Sequence, residues 1–503
     1  MTDSYQVTTL IVLIGFMSIL FYMVYKSRVS TDSLEVYAVG NRSFSPLSVA
    51  LSLAASITSA ATFIINPGFI ALYGLSAFIA FGVVMPFAIY AALIIFIKRF
   101  RKYGMDVKSI SIADWVGKRY DSRPLKILFG FLSMLLITFI VLICVGMTKV
   151  VSKALDANEL TILILIVVVV FTYMMIGGAN TMVYTNSVQA ILMIIVAVLL
   201  LGSGSDILFK SGGEGFLFQL DQIDTSLTAT FNEQSPLFRD FFEVVVCNTL
   251  VGIAIVCQPH ILTKSLLIKK DDQVNRFLLY TVVVLVLFFS VVLVGFYARL
   301  SFPDLMFNGA PLKMDGIVSA YVLHRFPVYV GIVVILGLLA AGLSTLEGLI
   351  QSIPTTITND FIVPIGEMAH LKTAPMKINK GVTVIVGILA IVLSYDQLVN
   401  PSLSVGIFAQ NGVYAFFSAA FVPVFFGIFT KTRNKWIPIA ASLVAILTHF
   451  GVYYLELTPY MEGMTIKNPA IASALALIAS TVTGLTIYVI NPMNKNVHAY
   501  ARP

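Results

Sequence analysis

The residues at 341, 344 and 345 offer the clearest chemistry in the chain. They lie in the run Leu336-Gly337-Leu338-Leu339-Ala340-Ala341-Gly342-Leu343-Ser344-Thr345-Leu346-Glu347-Gly348. Helical spacing puts Ala341, Ser344 and Thr345 on one face, at i, i+3 and i+4. Two hydroxyls beside freed backbone carbonyls make a set of hard oxygen donors, the kind that a sodium ion takes. The competing reading is local, because Ser and Thr within a helix also bond their own i−4 carbonyls or a neighbouring helix. Glu347 stands two residues beyond Thr345, in the middle of an apolar segment. Ionisable groups at membrane depth are costly and mark ion or proton paths; the alternative is a structural partner or a protonated carboxyl in a packed interface.

Other chemistry finds little support. Of the five histidines, His260, His324, His370, His449 and His498, two lie in or at the end of apolar runs, too few for a bis-histidine haem stack. Asp271-Asp272 lacks the further acidic spacing of a metal-diphosphate site. No Gly-rich phosphate loop follows a strand. Cys144, Cys247 and Cys257 all lie in apolar runs and are too few and too odd for a disulfide framework. The chain is therefore not read as an enzyme, and no organic or metal cofactor is called for.

The elements that must position these groups follow from composition. Of 503 residues 58% are hydrophobic and 11% charged, with a mean hydropathy of +0.93. Soluble globules carry about 25% charged residues, so lipid must face much of this surface. A soluble enzyme, a disordered scaffold and a secreted disulfide domain are excluded. About 20 apolar residues cross the hydrocarbon as helix. Thirteen such runs are read, near 6–26, 47–72, 76–97, 127–148, 160–178, 184–208, 241–262, 277–298, 327–356, 380–396, 404–430, 436–455 and 468–490. An odd number sets the termini on opposite sides.

With the N-terminus outside, 24 of the 32 Lys+Arg fall in inside segments, Lys264 counted among them as a loop residue. The positive-inside rule then makes the N-terminus external and the C-terminus cytoplasmic, in a multi-pass plasma membrane protein of the bacterial inner-membrane type. The net charge of +7 is thereby assigned to cytoplasmic loops rather than to nucleic-acid binding. The opening MTDSYQ lacks a signal peptide's basic region, so the first run is read as a retained span. Trp115 and Trp436 are read as interfacial anchors.

Two runs are interrupted. The second carries the small and polar stretch Ser52 to Thr62, then Asn66-Pro67-Gly68, and the seventh ends in Cys257-Gln258-Pro259-His260. Irregular backbone at membrane depth survives only beside a cavity. The two breaks lie five spans apart, and five-helix units at an odd offset must be oppositely oriented, which is an inverted repeat. The bland reading is that Pro and small residues merely aid helix packing.

Five segments in register resemble motifs of the sodium:solute symporter family, whose bacterial members carry proline, pantothenate, acetate, sialic acid and sugars. They are LSLAASITSAATFIINPG (51–68), SIADWVGKRY (111–120), IGGANTMVYTNSVQ (176–189), QPHILTKSL (258–266) and AAGLSTLEG (340–348). The resemblance implies an all-α, LeuT-type five-plus-five inverted repeat within one membrane domain. An extra span (6–26) precedes the first repeat (47–208) and the second (241–430), and two extra spans (436–490) follow.

The resemblance also implies a sodium site, carried over to Ala55, Thr58, Ala341, Ser344 and Thr345. The family's Thr-Asp pair becomes Thr185-Asn186, which casts doubt on a second carboxylate-dependent ion. Asn186 and Glu347 mark that second cation or proton position, with one sodium expected per cycle. Ser56, Ser59, Gln258 and Gln410 are the solute candidates. The function implied is sodium-coupled symport of a small organic solute by alternating access, with a monocarboxylate-type anion favoured. A proton-coupled carrier, a sodium/amino-acid (proline-like) symporter and a non-transporting receptor are the alternatives. Sodium, a small solute and the bilayer are the implied partners; oligomeric state is unread.

Overall fold

The computed structural model describes residues 3–27, 33–40, 44–106, 109–209, 215–268, 270–400 and 404–490. The extreme termini, 1–2 and 491–503, which the sequence sets on opposite sides, lie outside the described residues.

Leu, Ile, Val and Phe fill long helices, which satisfy most of their own backbone groups as hydrocarbon demands. Among the described residues ten helices are long and apolar enough to cross a membrane, or eleven if one bent pair counts as a span. They are α1 (Gln6–Ser27), α3 (Ala61–Lys102), α4 (Arg123–Leu155), α5 (Glu159–Ile207), α8 (Asp271–Ser301), α9 (Val328–Met368), α10 (Pro375–Val399), α11 (Val405–Phe429), α12 (Trp436–Tyr454) and α13 (Pro469–Ile490). The bent pair is α6 (Phe242–Cys257) and α7 (Pro259–Leu267), at 63° to one another, and α2 (Pro46–Ile57) is a shorter apolar helix.

This differs from thirteen separate runs for a definite reason. Helix α3 has 42 residues and α5 has 49. At 1.5 Å per residue α5 measures about 70 Å, more than twice the roughly 30 Å of hydrocarbon. Each long helix contains one glycine with non-helical backbone, Gly74 (φ 62°, ψ −135°) and Gly178 (φ 63°, ψ −159°). The chain changes course at a single residue, so segments read as separate spans join without a loop.

Helix α9 packs along α5 and α4, α2 lies against α5 and α8, and α12 and α13 pack on each other and on α11. Helices α9 and α11 are mostly buried, whereas α1 and α10 turn most of their residues outward. The outward residues, such as Ile11, Phe87, Leu447 and Val489, are apolar, as a lipid-facing surface requires. Trp436 is exposed, in keeping with an interfacial place. Trp115 is wholly buried, its ring centroid 5.1 Å from that of Phe100. It is a core residue rather than an anchor, because its short helix Ile112–Arg119 buries every residue from Ile112 to Gly117.

The backbone at Gly178 is nearly closed to side chains, at a cost of about 1–3 kcal/mol. A Cβ there also meets the Tyr37 carbonyl and ring at 2.9 Å. Gly178→Ala is therefore expected to lower the thermal unfolding temperature and the folded yield in detergent. Gly202→Ala, where a Cβ meets nothing within 4 Å, is expected to leave both unchanged. Equal behaviour of the two variants contradicts this assignment.

Candidate functional site

Helix α2 stops for a local reason. The Thr58 hydroxyl turns back to the Ala54 carbonyl at 2.7 Å, the acceptor that the Thr58 N–H also uses at 3.1 Å. Thr58 leaves the helical region, with φ −94° and ψ 84°. Ser59 Oγ then accepts the Ala61 N–H at 3.1 Å, so a side chain opens the next helix as capping residues do. The carbonyls of Ala55 and Ser56 thereby lose the amides four residues on.

Helix α9 answers them. Ser344 Oγ lies 2.8 Å from Ala55 O and 3.1 Å from Ala341 O. Thr345 Oγ1 lies 3.1 Å from Ser56 O, 3.4 Å from Ala55 O and 3.5 Å from Ala341 O. Five oxygens thus converge with two hydroxyl protons among them, and all five residues are buried. Lone pairs outnumber hydrogens, the condition for holding a hard cation. Of the sequence candidates, Ala55, Ala341, Ser344 and Thr345 come together here. Thr58 sits at the break with its hydroxyl directed to Ala54, so only its carbonyl remains a candidate ligand.

Glu347 is fully buried and takes three donors. Tyr173 Oη–H and Gln189 Nε2–H reach Oε1, each at 2.6 Å, and Thr185 Oγ1–H bonds Oε2. All three donors come from α5, which fastens the middle of α9 to it. Asn186, one residue from Thr185, does not touch the carboxylate. Its Nδ2 lies 3.2 Å from each of Ser52 Oγ, Ser56 Oγ and the Ser344 carbonyl.

Lys264, counted from sequence as a cytoplasmic loop residue, is instead 1% exposed. Its ammonium donates to Ser52 O at 2.6 Å, to Ser52 Oγ at 2.9 Å and to Ser56 Oγ. Gln258 leaves the helix with φ −73° and ψ 144°, Pro259 restarts it, and the continuation to Leu267 carries Lys264 inward. The sequence reading ended the seventh run at 262 and so missed this charge. A helix restarting at Pro259 with a lysine five residues on was the available signal. Tyr173 carried no sequence signal, and Gln189 closed the 176–189 motif without an assigned role, since both roles depend on how α5 meets α9.

A cavity lies beside the two breaks. Ser59, Gln258 and Gln410 line it with Thr62, Asn66 and Tyr414, among apolar walls from Phe81, Phe139, Leu142 and Phe289. Gln258 Oε1 is buried and, among the described residues, without a partner. Ser56, a solute candidate by sequence, is placed with Lys264 and Asn186 rather than in the cavity lining. Beyond the cavity, Asp315 accepts Ser404 Oγ at 2.7 Å, Lys149 Nζ at 3.3 Å and the Val405 amide at 3.3 Å. This joins one end of α4 to the start of α11.

Three donated hydrogens are shared between the two Glu347 oxygens, so an amide there keeps one acceptor and turns its NH₂ toward a former donor. Glu347→Gln is expected to cost about 1–3 kcal/mol, seen as a lower unfolding temperature in sodium-free buffer. An unchanged unfolding temperature contradicts an ionised carboxylate at this position.

The family model described as "Sodium:solute symporter family" matches residues 37–444. The sodium/pantothenate symporter of Escherichia coli (strain K12) is 24% identical over 462 residues, 88% of this chain and 90% of that one. The sodium/sialic acid symporter NanT of Aliivibrio fischeri is 22% identical over 366 residues, 70% of each chain. Among solved structures, a Na+-coupled sialic acid symporter in a substrate-bound outward-open state superposes with a TM-score of 0.78 at 16% identity. It covers 96% of this chain and 98% of its own, so the fold is shared. With two broken helices flanking a cavity and a family match across most of its length, this multi-pass membrane chain belongs to the sodium:solute symporter family.

Proposed function

We propose that the chain couples inward movement of one sodium ion to that of a small organic anion, a monocarboxylate first among them, by alternating access. The observation that carries this reading is the meeting of the Ala55 and Ser56 carbonyls with the Ser344 and Thr345 hydroxyls. Ala55, Thr58, Ala341, Ser344 and Thr345 are the sodium ligands of this proposal. Ser59, Gln258 and Gln410 contact the solute. In the same reading the chain crosses the membrane thirteen times, the long helices reversing at Gly74 and Gly178. Residues 47–208 and 241–430 are oppositely oriented repeats, the N-terminus is external and the C-terminus cytoplasmic.

Charge supports an anion. Sodium, the Lys264 ammonium and the Glu347 carboxylate together leave one positive charge beside the cavity. Among the described residues its lining carries no charged side chain, so the solute itself supplies the balance. The relatives named for pantothenate and sialic acid carry carboxylates, consistent with this choice. The Asp315 cluster at one end and the Ser52, Ser56 and Lys264 cluster at the other are the contacts that open in turn.

One sodium moving with one monoanion transfers no net charge. Accumulation then follows the sodium concentration ratio alone, about tenfold for a tenfold gradient, because 1.4 kcal/mol corresponds to a factor of ten. A neutral or zwitterionic solute instead gains about 2.3 kcal/mol per 100 mV.

The test is uptake of labelled pantothenate and of simple monocarboxylates into proteoliposomes at fixed pH. Replacing sodium with choline is expected to abolish accumulation of the transported solute, and an imposed membrane potential is expected to leave it unchanged. Ser344→Ala and Thr345→Ala are each expected to raise the sodium concentration for half-maximal uptake at least tenfold, measured per folded carrier. Uptake in choline equal to that in sodium overturns the proposal.

A further inference from the structure

Lys264 is a buried basic side chain that donates to none of the sodium-site oxygens and does not line the cavity. Three oxygens of the first broken helix receive its hydrogens, Ser52 O, Ser52 Oγ and Ser56 Oγ. An ammonium out of water must be compensated, and α9, which packs against the first turn of α7, carries the buried carboxylate Glu347. Asn186 Nδ2 adds hydrogens to Ser52 Oγ, Ser56 Oγ and the Ser344 carbonyl.

The contrast with the neighbouring oxygen cluster decides what each can hold. Around Ser344 and Thr345 lone pairs are in excess, whereas around Ser52 and Ser56 amide and ammonium hydrogens point at the oxygens. Asn186 Oδ1 has no partner among the described residues, but one neutral oxygen is far from the six or more ligands of a hard-cation cage. A cation placed there also stands against the ammonium at short range.

We infer that the Lys264 ammonium is a tethered cation that fills the second cation position beside Ser52, Ser56 and Asn186, and that it fixes the carrier at one sodium ion. Lys264 is thus a specificity-determining residue for ion stoichiometry. Asn186 follows from the same arrangement, since an aspartate there pairs with the ammonium and recruits no ion. The inference rests on the sodium site proposed above.

Charge counting sets the test. With Lys264 neutral and position 186 acidic, two buried carboxylates, at 186 and at 347, carry two negative charges that two sodium ions balance. Equilibrium binding of ²²Na⁺ alone to the purified full chain at neutral pH, with choline holding ionic strength, counts the ions without a solute. One ion per chain is expected for the wild type and for Asn186→Asp. Two are expected for Lys264→Gln combined with Asn186→Asp.

A double variant that folds and stays at one ion overturns the role of Lys264 and leaves the sodium site standing. A wild type that binds two ions also overturns it, and that count decides the matter if the double variant does not fold. A wild type that binds none removes the sodium site itself, and this inference with it.

Discussion

The arrangement depends on an interruption in one helix's hydrogen-bond ladder. When Thr58 turns out of the helix, Ala55 and Ser56 hold carbonyls that nothing on their own strand of backbone satisfies. In hydrocarbon an unsatisfied carbonyl costs several kcal/mol, so another element must meet it or the fold must abandon the break. Helix α9 meets it with two hydroxyls that have more oxygen neighbours than hydrogens to give. The same deficit stabilises the crossing of α2 and α9 and leaves a place for a cation. In the proposed reading, structural need and ion binding are one feature seen from two sides.

Around that crossing the buried charges are arranged with opposite signs on different elements. Glu347 on α9 is held by three donors from α5, and Lys264 on α7 is held by acceptors from α2. Neither charge could be buried alone without a large desolvation cost. Their partners fix the registers of four elements at once, so small relative movements of α2 and α7 against α5 and α9 exchange many polar contacts together. That cooperativity suits a carrier, which needs two discrete states rather than a continuum.

Much of this was legible in the chain. Spans could be read because lipid admits few alternatives to a long apolar helix, and the Ser344-Thr345 face followed from helical spacing. The break in α2 was expected between Ser52 and Gly68 and falls at Thr58 to Ala60, because hydroxyl back-bonding, rather than Asn66-Pro67-Gly68, ends the helix. What composition hid was long-range. Lys264 counted as a loop cation because hydropathy averages over a window and cannot see a half-helix turned inward. Trp115 carried the same ambiguity, an aromatic near a basic run that proved to be core. Tyr173 and Gln189 acquire a role only when α5 and α9 touch. Ser56 was grouped with the solute candidates by position in the break, yet its hydroxyl faces Lys264.

The direct measurement of the central claim needs no solute. Thermal unfolding of the purified chain is followed in sodium, potassium and choline at equal ionic strength and pH. A ligand bound only by the folded state raises its stability in proportion to the logarithm of its concentration. A concentration-dependent rise in sodium, absent in potassium and choline and lost when Ser344 and Thr345 are both replaced by alanine, is the result expected of carbonyls opened for an alkali ion. Indistinguishable unfolding in all three salts contradicts it.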